Sequence, residues 1–227
     1  MDVSIAKLVG QCVVLFLGLA LALFLAAGTS AWAAGWVFLL LYSSFVLGVS
    51  FWLLRHNPEL LQERMRGFRS DQNAWDKVVL LASGVLFVAW MILMPLDAVR
   101  FHWSRMPVWL QGVGVLILLG SFALFFLTFR ENTYLSSVVR LQKERGQTVV
   151  STGPYRYVRH PMYAAFLLFL LGTALLLGSV YGLLFGLTLV GMVAIRAVLE
   201  ERILRAELPG YAEYMTRVKF RFVPYLW

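Results

Sequence analysis

The chain has 227 residues, of which 60% are hydrophobic and only 14% charged, with a mean hydropathy of +0.76 and a formal net charge of +8. So large an apolar share excludes an ordinary water-soluble globule and makes the chain an integral membrane protein. Its one cysteine, Cys12, excludes a disulfide framework and a thiolate metal site, and reads as a small buried hydrophobe.

Intervals free of Asp, Glu, Lys and Arg run over residues 8–54, 78–96, 106–129 and 160–195. A spanning helix needs about 20 apolar residues, so the first and last intervals can each hold two. Gly28-Thr29-Ser30 divides the first, and Gly178-Ser179 marks a tight helical hairpin in the last. The expected fold class is all-α: a polytopic transmembrane bundle of six spans, five also being possible, with a helical hairpin and a cytoplasmic C-terminal helical extension. Uniformly apolar segments lack the alternation of a transmembrane barrel. The small residues at 31–35 imitate a signal-peptidase site. The apolar run before them is too long for a signal sequence, so the first span is expected to stay uncleaved.

Basic residues set the expected orientation. Arg55, Arg64, Arg66, Arg69 and Lys77 follow the second span; Arg130, Arg140, Lys143, Arg145, Arg156 and Arg159 follow the fourth; Arg196, Arg202, Arg205, Arg217, Lys219 and Arg221 follow the sixth. Only Arg100 and Arg105 occupy the loop on the other side. The positive-inside rule therefore makes the termini and both large loops cytoplasmic, and a bacterial inner membrane is the expected location. The positive charge reads as topology and contact with membrane lipids, not as a nucleic-acid footprint.

The loop over residues 130–159 is longer than a simple connector. Thr148-Val149-Val150-Ser151 is short and β-branched, Gly153-Pro154 marks a turn, and Tyr155 and Tyr157 are expected as interfacial anchors. Pro161 suits the first position of the fifth span, which leaves His160 at a helix N-terminus beside unpaired backbone donors. The run Gly153 to Tyr163 thus gathers cationic, imidazole and phenol groups at a membrane boundary, where such groups are expensive unless they bind something. They could hold a carboxylate, a phosphate or a purine edge. The plainer alternative is an anchor with topology charges.

In the last span Arg196 and Glu200 lie four apart, as do Glu201 and Arg205, so each pair shares a helical face. The hairpin returns Glu200 to the side of His160, where a carboxylate can accept from a ligand ammonium or hydroxyl; a solvated face is the alternative. Pro209-Gly210 ends that helix, and residues 211–218 read as a short second helix whose Tyr211, Tyr214 and Met215 pack on the membrane surface or cover a site. His56, His102 and His160 lack metal-ligand spacing, so no metal is expected. Gly112-x-Gly114 lies inside a span and reads as a helix-packing contact, not a phosphate loop.

Gly153-Pro154-Tyr155, Arg159-His160-Pro161-x-Tyr163, the hairpin, Glu200-Glu201-x-x-Leu204 and Tyr211-x-x-Tyr214, in that order, resemble the integral membrane methyltransferases related to isoprenylcysteine carboxyl methyltransferase and to phospholipid N-methyltransferases. The resemblance covers roughly residue 132 to the C-terminus. It implies S-adenosyl-L-methionine as cofactor, held at the cytoplasmic face, and a lipophilic or lipidated substrate admitted from the bilayer. Carried over by position, cofactor contacts fall to Arg140 (with Gln142 nearby as an alternative), Gln147, Thr148, Val149, Val150, Tyr155, His160, Pro161, Met162, Tyr163, Glu200 and Glu201. Arg196 is expected to steer an acidic substrate group, and Arg196, Glu200 and His160 to lie nearest the chemistry. Residues 1–105 are then an N-terminal scaffold on the substrate side, and 106–227 the methyltransferase core with the cofactor pocket. The implied reaction methylates a carboxylate of an isoprenylcysteine-like molecule or a related lipid. A phospholipid amine N-methyltransferase, a sterol-reductase-like enzyme using NADPH and a non-catalytic membrane protein are the alternatives.

Overall fold

The computed structural model describes residues 4–65, 67 and 72–227; Arg66 and Arg69 of the basic set lie outside the described residues. The helices are α1 (Ile5–Ala27), α2 (Ala33–His56), α3 (Pro58–Met65), α4 (Ala74–Pro95), α5 (Val108–Glu131), α6 (Pro161–Leu177), α7 (Val180–Glu207) and α8 (Tyr211–Arg217). One π-helical stretch, Leu96–Arg100, extends α4, giving a continuous helical segment Ala74–Arg100. Five segments are long and apolar enough to cross a membrane, and α6 is a shorter apolar sixth. No strand occurs among the described residues.

These helices show no single apolar stripe because both faces meet hydrocarbon or protein. Leu25, Leu40, Val85 and Leu187 stay exposed on the outer surface, while Leu23, Phe38, Trp90, Leu118, Phe169 and Leu189 form the core. The chain enters α6 and leaves α7 on the side that carries the start of α1, helix α3 and the long loop 132–160. The expected hairpin is present. Gly178 closes α6 in the left-handed region at φ 77°, and Ser179 caps α7 by accepting from the Gly182 N–H at 2.8 Å.

Small residues bring α5 and α6 together. A Cβ on Gly114 would stand 2.8 Å from the Gly172 carbonyl oxygen, and one on Gly172 only 2.7 Å from the Leu118 nitrogen. Gly112, by contrast, faces open space, so only the second glycine of the pair serves helix packing. Ser121 adds a hydrogen bond to the Ala165 carbonyl at 2.8 Å, and Trp90 ties α4 to α7 through the Gly182 carbonyl at 2.7 Å.

On the side with few basic residues, the buried Asp97 acts as a knot. It accepts from the Ser104 N–H at 2.8 Å, the Ser104 hydroxyl at 2.7 Å, the Ser179 hydroxyl at 2.6 Å and the Tyr181 N–H at 3.2 Å. The loop before α5 is thereby fastened to the α6–α7 turn, and the buried carboxylate is satisfied without a cation.

Overpacking a close helix contact destabilises by about 1–3 kcal/mol. Gly114→Val and Gly172→Val are expected to lower the thermal unfolding midpoint of the detergent-solubilised chain, whereas Gly112→Val leaves it within error.

Candidate functional site

The long loop is held by acids from the first half of the chain. Asp76, fully buried at the start of α4, accepts from the Val139 N–H at 2.8 Å, the Gln72 amide at 2.7 Å and Arg196 Nε at 2.9 Å. Glu63 in α3 accepts from Arg140 Nε at 3.1 Å and the Ser136 hydroxyl at 3.2 Å. Gln142 is fully buried and structural: its side chain donates to the Tyr134 carbonyl and accepts from Arg145, so it does not stand in for Arg140.

The turn after the loop needs glycine. Gly153 has φ 54°, and a Cβ there would come within 2.7 Å of the Glu131 carboxyl carbon. That turn sends Tyr155 inward rather than to the interface as expected. Tyr155 is buried, accepts from the Asn132 amide at 2.8 Å, and its carbonyl accepts from the Tyr214 hydroxyl at 2.8 Å. Tyr157 remains exposed.

His160 caps α6 with its backbone, and the C-terminal segment pairs with the two residues that lead into the helix. The Arg159 N–H donates to the Phe220 carbonyl and the His160 N–H to the Arg221 carbonyl, both at 2.9 Å. Behind this strap sits Glu201, 4% exposed. Its Oε1 accepts from Arg159 Nε at 2.6 Å and lies 3.1 Å from His160 Nε2, while Oε2 accepts from Arg221 Nε at 2.9 Å. The expected helical-face pairs are therefore replaced. Glu201 binds this cluster instead of Arg205, and Glu200, one residue earlier, accepts from the Tyr163 hydroxyl at 2.6 Å.

A cavity of about 950 Å³ opens between α1 to α7 and the long loop, with Leu61, Arg64 and Met65 of α3 on its wall. Its polar end is lined by Arg140, Gln147, Thr148, Val149, Val150 and Tyr155, by His160, Met162 and Tyr163, and by Arg196 and Glu200. Pro161 and Glu201 do not line it; they act from behind, as helix start and as cluster anchor. Tyr211 and Tyr214 line the same end from α8, rather than packing on the membrane surface. From there the cavity runs into the bundle along an aromatic wall that includes Phe45, Phe87, Phe122, Phe166 and Phe169, with Phe45 and Phe122 stacked at 4.4 Å. Both 1–105 and 106–227 contribute to the wall.

Burial pushes the phenols of Tyr155, Tyr211 and Tyr214 upward, so they remain neutral donors at the mouth. Burial also works against the Arg140 charge, but its hydrogen bonds to Glu63 and Glu144 outweigh this and raise its value. Arg64 is different: burial, and then repulsion from Arg196, lower it to about 10. It stays charged at neutral pH. Arg64, Asp76, Glu63 and Asn132 were not singled out as site residues from the sequence, because each acts through partners distant in the chain. An acidic residue at the start of an apolar span, as Asp76 is, was the available signal.

The site and fold define a polytopic helical membrane protein with a one-sided cavity that joins a polar mouth to an apolar interior. Residues 109–208 match the family model described as phospholipid methyltransferase. A protein-S-isoprenylcysteine O-methyltransferase of Schizosaccharomyces pombe is 36% identical over 85 residues, which are 37% of this chain and 36% of that relative. The match thus spans about a third of the length of the curated relative. The resemblance expected from Gly153 to Tyr163 and at Glu200-Glu201 is borne out: residues 109–208 are similar to the isoprenylcysteine carboxyl methyltransferase and phospholipid methyltransferase family. A solved eukaryotic intramembrane Ras methyltransferase, isoprenylcysteine carboxyl methyltransferase, aligns over 99% of this chain and 88% of its own, with 15% identity and a TM-score of 0.48.

Removing one partner of a buried ion cluster costs about 3–5 kcal/mol. Glu201→Ala is expected to reduce the yield of folded protein and the unfolding midpoint sharply. Glu200→Gln, on the cavity wall, should alter the midpoint far less in the same melt.

Proposed function

We propose that the chain is a membrane-embedded methyltransferase that uses S-adenosyl-L-methionine to methylate a lipophilic acceptor at the cytoplasmic face, the acceptor being a carboxylate of an isoprenylcysteine-like molecule or a related lipid. The single observation that carries this reading is the continuity of the cavity. A polar mouth built by the family segment opens into an aromatic arm inside the bundle, so one space can serve a polar donor and a lipid acceptor. Its volume is at the upper end of the usual range for small-molecule sites, about 300–1,000 Å³.

The residues at the mouth suit the cofactor. The buried Tyr211 hydroxyl has no hydrogen-bond partner, and buried polar groups are seldom left so. Glu200 is the one carboxylate on the wall among the described residues and keeps acceptor capacity beyond its bond to Tyr163. It would receive an ammonium or ribose hydroxyl, while segment 147–150, Tyr155 and Met162 would enclose the nucleoside. When bound, the cofactor supplies a methyl group on a sulfonium, and its transfer is an in-line displacement.

This chain's residues then have two tasks. They align the acceptor with the methyl group and exclude water, which Tyr211 and Tyr214 do by covering the mouth. A carboxylate acceptor needs no general base, so the His160–Glu201 contact can remain a positioning pair. Were the acceptor an amine, Glu200 or His160 would be the group within reach to take a proton.

Detergent-purified full-length chain is expected to bind S-adenosyl-L-methionine and to transfer tritiated methyl to a lipid fraction. Glu200→Ala should lower transfer about 100-fold, the loss expected for one charged hydrogen-bond partner in a desolvated site, with membrane insertion unchanged. A folded sample with no affinity for the donor would refute the reading. Competition by NADPH for the same cavity would favour a reductase instead.

A further inference from the structure

The cations on the cavity wall differ in one respect. Arg140 is neutralised by Glu63 and Glu144, Arg159 by Glu201, and Arg196 by Asp76. Arg64 has no carboxylate within ion-pairing distance among the described residues. Its guanidinium lies over the Phe129 ring at 4.7 Å and donates from Nη1 to the Leu135 carbonyl at 3.2 Å. A guanidinium carries five N–H donors, and Arg64 lines the cavity with one hydrogen bond made among the described residues.

Among the described residues, the surroundings of Arg64 supply no carboxylate within ion-pairing distance either. Its electrostatic neighbours are Arg196, already paired, and Tyr42 on α2. Tyr42 lines the same cavity, and its hydroxyl has no hydrogen-bond partner among the described residues. Around them the wall is apolar: Leu53, Leu61 and Phe129 form a buried cluster at this level. An ionised group left unpaired in such a place is strongly disfavoured unless a ligand completes it.

We propose that Arg64, with the Tyr42 hydroxyl as second donor, receives the carboxylate of the lipidic acceptor and so sets the enzyme's preference for an acidic headgroup. The assignment rests on the reading of the cavity as a methyl-acceptor site. One uncompensated positive charge matches one carboxylate, whose two oxygens fit the guanidinium fork. A lipid ammonium would instead meet Arg64 and Arg196 together. Arg64 belongs to α3, outside the family segment 109–208, so this preference is a property of the N-terminal half.

The test uses the detergent-solubilised full chain and three probes: an S-farnesylcysteine carboxylate, its carboxamide, and S-adenosyl-L-methionine. The native chain is expected to bind the carboxylate more tightly than the carboxamide. Arg64→Met should weaken carboxylate binding about 10- to 100-fold, the range for a charged hydrogen-bond pair, while carboxamide and donor affinities hold. Arg64→Lys, which keeps the charge and loses the fork, should retain part of the preference. Equal weakening of both lipids, unchanged carboxylate binding, or no preference in the native chain would each overturn the assignment. Loss of donor affinity with lipid binding intact would overturn it too, by giving Arg64 to the donor's carboxylate. If the native chain binds the lipid carboxylate but not the donor, the methyl-transfer reading fails, and the ratio of the two lipids still decides the role of Arg64.

Discussion

The site depends on one buried carboxylate. Glu201 gathers Arg159, His160 and Arg221 from two separate segments onto the last turns of α7. Arg159 completes the cluster by donating from Nη1 to the carbonyls of Val218 and Lys219 at 2.8 and 2.7 Å. Desolvating these charges is expensive, and only the near-complete set of hydrogen bonds makes the arrangement tolerable. The consequence is geometric. The start of α6, the end of α7 and the C-terminal strap are fixed relative to one another, and the His160 and Tyr163 rings stack at 5.3 Å on the cavity wall.

A second set of charges joins the halves of the chain. Asp76 meets Arg196 across 120 residues of sequence, and Glu63 meets Arg140 across 77. These bonds press loop 132–150 against α3 and α4, which makes the ceiling of the cavity. The N-terminal helices therefore do more than frame an apolar arm; they supply the counter-charges that leave the mouth nearly neutral and single out Arg64.

Much of the architecture was legible because membrane spans are set by a simple rule. Charge-free intervals and the breaks at Gly28 and Gly178-Ser179 located the six apolar helices, although α7 continues past Arg196 to Glu207 and α5 takes in Arg130 and Glu131. The Gly153–Tyr163 run also stood out, because its polar density is expensive beside a membrane, and its Tyr155, His160, Met162 and Tyr163 line the cavity. Side-chain partners were not. Glu201 and Arg205 do share a helical face, but the buried partners Arg159, Arg221 and the His160 ring outcompete a solvated neighbour worth about 0.3–0.5 kcal/mol. Tyr155 likewise turns inward: Gly153-Pro154 signals the turn, but which side of it faces the protein is set by distant partners such as Asn132 and Tyr214. Only one glycine of Gly112-x-Gly114 meets α6, as helix rotation about the axis decides which side faces a neighbour.

The length of α6 has a further consequence. Its 17 residues span only about 25 Å, less than the hydrocarbon thickness of about 30 Å. Such hydrophobic mismatch is relieved by tilting or by local thinning of the bilayer. Because Gly178 and the Asp97 knot fix the far end of α6, the shortfall falls at His160. Thinning of the bilayer there would lower the membrane surface toward the mouth of the cavity and bring a lipid headgroup within reach of Tyr163 and Glu200.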